Sequence, residues 1–194
     1  MDFSLIFIGS THGFIKDFTK QEEIINSIDP EFVLVEDLED ISLDTKEKFK
    51  KLFKSRFISD MTSFSDVEDL IKLCHNKNIK LIGIDFHNFG FDKVLQEKIK
   101  KQEPLSKREQ EKINKILESR EKSHIKKILE YLKKTSKPLV VIVGSWHLRK
   151  GALLVKEMNN YKIIFPCDSE GNLLIEPSRD NKGIFYREIT KNAN

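Results

Sequence analysis

The chain has 194 residues, 39% hydrophobic and 34% charged, which is enough apolar matter for one folded domain and excludes a disordered polymer. Its 34 Lys and Arg nearly balance 31 Asp and Glu, so a net charge of +3 gives no footprint for nucleic acid or an anionic membrane surface. Cys74 and Cys167 are the only cysteines, and two so far apart form neither a disulfide framework nor a metal-type spacing.

Cys74 falls in an apolar helical stretch and is read as a buried thiol. No apolar run reaches the roughly 18 residues that a membrane helix needs. The start, Met1-Asp2-Phe3-Ser4, has no basic region of the kind that opens a signal peptide. A reducing, cytoplasmic location is therefore expected.

Phe3–Ile8 is a continuous apolar run closed by Gly9, the pattern of a buried strand. Thr19 with Glu22 reads as a capping box, so a helix is expected from there through Ile24, Ile25 and Ile28 to Asp29-Pro30. Phe32–Val35 is the second strand, closed by Glu36; Asp37, Glu39 and Asp40 read as a solvated acidic run. Residues 44–57 carry Phe49, Leu52 and Phe53 at helical spacing. Ser63 or Ser65 can cap a helix bearing Val67, Leu70, Ile71 and Cys74, with a turn at residues 76–78.

Ile79–Ile84 is the third strand, closed by Asp85 and followed by Phe86-His87-Asn88. A charged helix is expected from Asp92, broken near Pro104, and the longest helix from Ser106 to Lys134. Leu139–Val143 is the fourth strand, Ala152–Met158 a short helix, and Tyr161–Phe165 a fifth strand stopped by Pro166. Leu173–Ile175 and Ile184–Tyr186 suggest a late hairpin on the sheet edge, and Thr190–Asn194 a frayed end. Alternating strands and helices predict one α/β domain over residues 1–194, with a mostly parallel sheet and helices on both faces.

Two stretches nearly copy each other: Ile6-Phe7-Ile8-Gly9-Ser10-Thr11-His12 and Val141-Ile142-Val143-Gly144-Ser145-Trp146-His147. In a parallel sheet all strand C-termini lie on one edge, where ligands bind. The apolar runs end in His12, Glu36, Asp85 and His147, and each can bind a metal or move a proton. His87, beside Asn88, is read as a loop residue. Gly9 and Gly144 let the chain turn sharply without a side chain in the way, and Ser10 and Ser145 can cap the next segment or donate to a bound oxyanion. On the long helix, Ile113, Leu117, Arg120 or Glu121, His124, Ile128 and Tyr131 share one face. Arg120 either keeps its head in water or points at Glu36 or a substrate oxygen.

The GxxH motifs Gly9-Ser10-Thr11-His12 and Gly144-Ser145-Trp146-His147, with Val33-Leu34-Val35-Glu36 and Ser119-Arg120-Glu121 between them, resemble the TraB/PrgY/Tiki superfamily. That superfamily also takes in ChaN-like and erythromycin esterase-like proteins, and the likeness of layout spans roughly residues 3–155. It implies an α/β fold with both histidine loops and the Glu at one site. Tiki-type members are metal-dependent proteases, and erythromycin esterase-type members look like metal-independent hydrolases using His and Glu. ChaN-type members bind haem, and TraB/PrgY members act on peptide pheromone signalling. This chain departs from the pattern in its shortness, in His87 near the site and in a tail from Pro166 that matches nothing in the family.

The leading expectation is a metal-dependent hydrolase of peptide or ester bonds, with a divalent ion (Mn, Co, Zn or Fe) held by His12, Glu36 and His147. Asp85 would act as base or orient a histidine, and Arg120 would stabilise an oxyanion or fix Glu36. A second expectation drops the metal and uses His12 as base with Glu36. A third is a non-catalytic protein binding haem or an anion through the same loops, including Ser10 and Ser145. Expected partners are a small-molecule or peptide substrate and a second copy of the chain, with neither nucleic acid nor membrane.

Overall fold

The computed structural model describes residues 3–11, 15–174 and 185–192. In chain order the elements are β1 (Leu5–Ser10), α1 (Ile15–Ile28), β2 (Phe32–Val35), β3 (Ser42–Leu43), α2 (Lys46–Ser55) and α3 (Phe64–Lys77). Then come β4 (Lys80–Gly83), a left-handed turn at His87–Gly90, α4 (Lys93–Lys100), α5 (Lys107–Leu132) and β5 (Leu139–Gly144). A short 3-10 turn (Ser145–Leu148), α6 (Leu153–Glu157), β6 (Tyr161–Cys167) and β7 (Phe185–Lys191) complete the chain. No helix among the described residues is long and apolar enough to cross a membrane.

The seven strands form one sheet in the order β3-β4-β2-β5-β1-β6-β7. The five central strands are parallel, and β3 and β7 are antiparallel edges. The central strands read as unbroken apolar runs because both of their faces are covered. Ile6, Ile8, Val33, Val35, Val140 and Ile142 pack with residues of α1, α2 and α3, among them Ile25, Leu52 and Ile71. Leu5, Phe7, Leu34, Val141 and Val143 face the other way, onto Ile128 of α5 and Leu154 of α6.

Local chemistry sets the helix ends. Thr45, Ser63, Asp92 and Ser106 accept backbone N–H bonds at the starts of α2 to α5, and Ser106 with Glu109 forms a full capping box. The choice between Ser63 and Ser65 thus falls on Ser63. The Thr19–Glu22 pattern is overruled: α1 begins at Ile15, a turn earlier. The longer helix brings Phe18 against the core, and packing outweighs a local capping preference.

Pro166 does not stop β6, which runs on to Cys167. Pairing of β6 with β1 ends at Ile164, so Pro166 lies beyond the β1 ladder that would call on its N–H; β7 runs along one side and the Leu174 N–H bonds the Pro166 carbonyl at 3.0 Å on the other. The late pairing is therefore β6 with β7, from Tyr161↔Lys191 to Cys167↔Phe185. Leu173 makes a single bridge to Cys167, while Ile175 and Ile184 lie outside the described residues. Thr190 and Lys191 are paired in β7, not frayed. Both cysteines are free and buried, and burial pushes the Cys74 thiol up to about 12.

Candidate functional site

Parallel pairing puts the exits of β1, β5, β2 and β4 on one edge. Ser10 stands opposite Gly144, so the two strand ends that lead into the GxxH loops are side by side. His12 itself lies outside the described residues. Glu36 leaves β2 next to β5, and its backbone N–H bonds Ile142 O at 3.0 Å. Asp85 leaves the neighbouring β4 two residues past Gly83.

Helix α5 crosses this edge and drops Arg120 between the two carboxylates. Its Nε donates to both Asp85 oxygens at 2.9 Å, and its Nη2 donates to Asp85 Oδ2 at 2.5 Å and Glu36 Oε1 at 2.6 Å. Glu36 Oε2 accepts the Gly144 N–H at 2.7 Å. His147 sits between two more oxygens: Nε2 is 3.3 Å from Glu36 Oε1 and Nδ1 is 3.1 Å from Glu121 Oε1. His124 Nε2 lies 3.2 Å from Asp85 Oδ2, within ion-pair reach but off the hydrogen-bonding direction, and its ring meets that of His147 at 5.4 Å. All six side chains belong to buried residues, from His124 at 0% exposure to Arg120 and Glu121 at 6%.

Charges this deep must neutralise one another. Burial raises the pKa of Glu36, but the His147 contact and the charges of His147 and Arg120 win and hold it well below the usual carboxylate range. Asp85 is lowered too, with burial opposed by its contacts to His124 and Arg120. Burial disfavours a charged His147, yet Glu121 and Glu36 outweigh it and push the imidazole up to about 9. Glu121 is lowered against burial by His147 and then by Arg149. At neutral pH His147 is an imidazolium clamped between two carboxylates.

No family model, curated protein or solved structure matches the chain. The site is therefore read from its own geometry.

Of the residues singled out in the sequence, Glu36, Asp85, Arg120 and His147 meet in one network. Arg120 faces inward toward Glu36, not into water. Asp85 Oδ1 also accepts the Phe86 N–H at 2.7 Å. Ser10 and Ser145 are buried at the same edge, and neither hydroxyl has a partner among the described residues. Strand alternation carries Ser10 to the α1 side of the sheet, away from α5. Ser145 Oγ would lie 2.9 Å from a Cβ on Gly9, so glycine at 9 is a matter of space. Gly144 has φ −52°, which any residue adopts, so no turn freedom is needed there.

The acidic run after Glu36 is not all solvated. Glu39 is fully buried at φ 54°, and its Oε1 accepts the hydroxyls of Ser59 at 2.5 Å and Thr62 at 2.9 Å. Its Oε2 accepts the Asn88 N–H at 2.6 Å, with the exposed His87 ring 3.5 Å away. Glu121 and His124 join the network although neither lies in a GxxH motif. Their signal in the sequence is that they and Arg120 interrupt the apolar face of α5, with Glu121 also in the Ser119-Arg120-Glu121 stretch of the resemblance.

Among the described residues, no group of three or more His, Cys, Asp or Glu is arranged to hold a metal ion. Both His147 nitrogens face carboxylates, and Glu36 is shared by Arg120, His147 and Gly144. A metal held here would need His147 neutral with a nitrogen released, and Glu36 parted from a partner. The described donors do not fit a metal as arranged.

Proposed function

We propose that the chain is a hydrolase that works by histidine–carboxylate acid–base chemistry, the metal-independent form of the two expected from its likeness to erythromycin esterase-type proteins. One observation carries this reading: the His147 ring is clamped between Glu36 and Glu121 at the exit of a parallel strand. An imidazolium fixed this way is a positive charge for a developing oxyanion, and when one N–H swings from its carboxylate to the substrate it is a proton donor for a leaving group. Glu36 orients it, and Arg120 holds Glu36 and Asp85 in place.

The carboxylates around His147 are too acidic to act as strong bases at neutral pH. His12, two residues beyond Ser10 in the adjoining GxxH loop, is assigned as the base that takes a proton from water. The hydroxide attacks the substrate carbonyl, the bond to the leaving group breaks, His147 gives its own proton to that group, and proton exchange through solvent from His12 back to His147 restores both. Ester and peptide substrates both suit this chemistry.

A panel of ester, peptide and phosphoester substrates, assayed with and without EDTA, tests the proposal. Turnover that survives EDTA and is lost in His12→Ala and Glu36→Gln supports it. Turnover lost in EDTA and restored by Mn, Co, Zn or Fe selects the metal-dependent form, with His12, Glu36 and His147 as ligands. A folded wild-type chain that turns over nothing, yet gives a Soret band on haem titration or binds an anion, makes it a binding protein instead.

A further inference from the structure

Arg120 uses only part of its guanidinium on the carboxylates. Nε and Nη2 are taken by Asp85 and Glu36, while Nη1, with its two N–H groups, meets no acceptor among the described residues. Nη1 is not one of the fully buried atoms left without a partner, so its N–H groups reach solvent and stay open to a ligand while the rest of the arginine is buried.

The turn facing it is built with unusual care. Asn88, Phe89 and Gly90 are all left-handed, at φ 51°, 54° and 73°, a conformation that a bulky residue such as Phe89 adopts only when its surroundings hold it there. Asn88 is the anchor: its N–H binds Glu39 Oε2 at 2.6 Å and its Oδ1 accepts the Asp60 N–H at 2.9 Å. The result is that the Phe89 ring lies 4.7 Å from the Arg120 Cζ, stacked on the guanidinium. Glu39, otherwise without a role in the network, thus fixes an aromatic cover on Arg120.

We infer that the Nη1 edge of Arg120, walled by Phe89, receives an oxyanion of the substrate, a carboxylate or phosphate oxygen. This deepens the hydrolase reading by naming a substrate class: molecules that carry an anionic group beside the bond to be cut. The Glu36 and Asp85 pairings fix the guanidinium, so its remaining N–H groups are already aimed before the ligand arrives. Phe89 shields the contact from water, which strengthens it.

Binding alone tests the assignment. Acetate and inorganic phosphate are titrated separately into the 15N-labelled full chain at constant ionic strength, and arginine side-chain NH signals are followed. The Arg120 signals, assigned by their absence in Arg120→Lys, should shift saturably with at least one anion. Arg120→Lys should weaken binding tenfold or more, and Phe89→Ala, which keeps both ion pairs, several-fold. Arg56→Gln, at an exposed arginine paired with Glu68, should bind as wild type does. A response to acetate alone names a carboxylate, to phosphate alone a phosphate, and to both a general oxyanion subsite. Arg120 signals that stay still in folded wild-type protein, or equal affinity in Arg120→Lys, would overturn the proposal. Saturable binding without turnover of any substrate would leave this site standing and remove only the hydrolase reading.

Discussion

His147 and Glu36 leave adjacent strands and meet with Nε2 and Oε1 3.3 Å apart. Glu121 and then Glu36 hold the histidine charged against its burial, and His147 in turn helps to keep Glu36 well below the usual carboxylate range.

A pH dependence follows. The folded pKa of His147, about 9, lies above the unfolded value of 6.5, so its stabilisation is fully present below 6.5 and is lost as pH rises through 9. Glu36 has the opposite sign: lowered from 4.5, its contribution is present above that value and fades as pH falls through the folded one. Thermal unfolding of wild type should therefore lose up to about 3 kcal/mol between pH 6.5 and 9, and His147→Gln should flatten that limb. Identical slopes for the two proteins would show that His147 is not charged in the fold.

Arg120→Met should destabilise by about 3–5 kcal/mol, because it leaves Glu36 and Asp85 buried without their cation. Adding Asp85→Asn should recover part of the loss, since one of the stranded charges is gone. Denaturant melts of the single and double variants measure this. A double variant less stable than Arg120→Met would contradict the pairing.

Gly9→Ala should cost about 1–3 kcal/mol by overpacking, since its Cβ would meet Ser145 Oγ at 2.9 Å and Phe165 Cβ at 3.1 Å. Ser145→Ala should be neutral or stabilising, as it removes a buried hydroxyl with no partner. In combination it should relieve part of the Gly9→Ala penalty. Strict additivity in the double-mutant cycle would rule out the contact.

Glu39→Gln should destabilise by about 1–3 kcal/mol. The new amide must turn an N–H toward either the Asn88 N–H or the Ser59 and Thr62 hydroxyls, all of which now donate to the carboxylate. The Phe89 ring should leave Arg120 at the same time, visible as a change in Phe89 aromatic NMR shifts. A stable variant with unchanged Phe89 shifts would separate Glu39 from the turn.

The parallel sheet was legible because a strand buried on both faces stays apolar until it leaves the sheet, so Glu36, Asp85 and the glycines before His12 and His147 mark its exits. Arg120 was legible as a charge on an apolar helical stripe. Glu39 was not. It sits among acidic neighbours, and only the three-dimensional meeting with Ser59, Thr62 and Asn88 gives it a reason to be inside. Thr19 and Pro166 misled for a related reason. Each states a local preference, and the packing of Phe18 in one case and the end of β1 pairing in the other decided the outcome.

The strand order carries a consequence for how the chain folds. β5 lies between β1 and β2, although it follows them by more than a hundred residues. Until Leu139–Gly144 slots in, the first two strands have no common neighbour and cannot share a ladder. Such long-range pairing is slow to nucleate. A fragment ending before β5 would keep helices α1 to α5 and Glu36, and yet lack His147, the other half of the Glu36–His147 contact. The capacity for chemistry should therefore arrive all at once with that central strand, so that refolding monitored at the site reports the closing step of assembly.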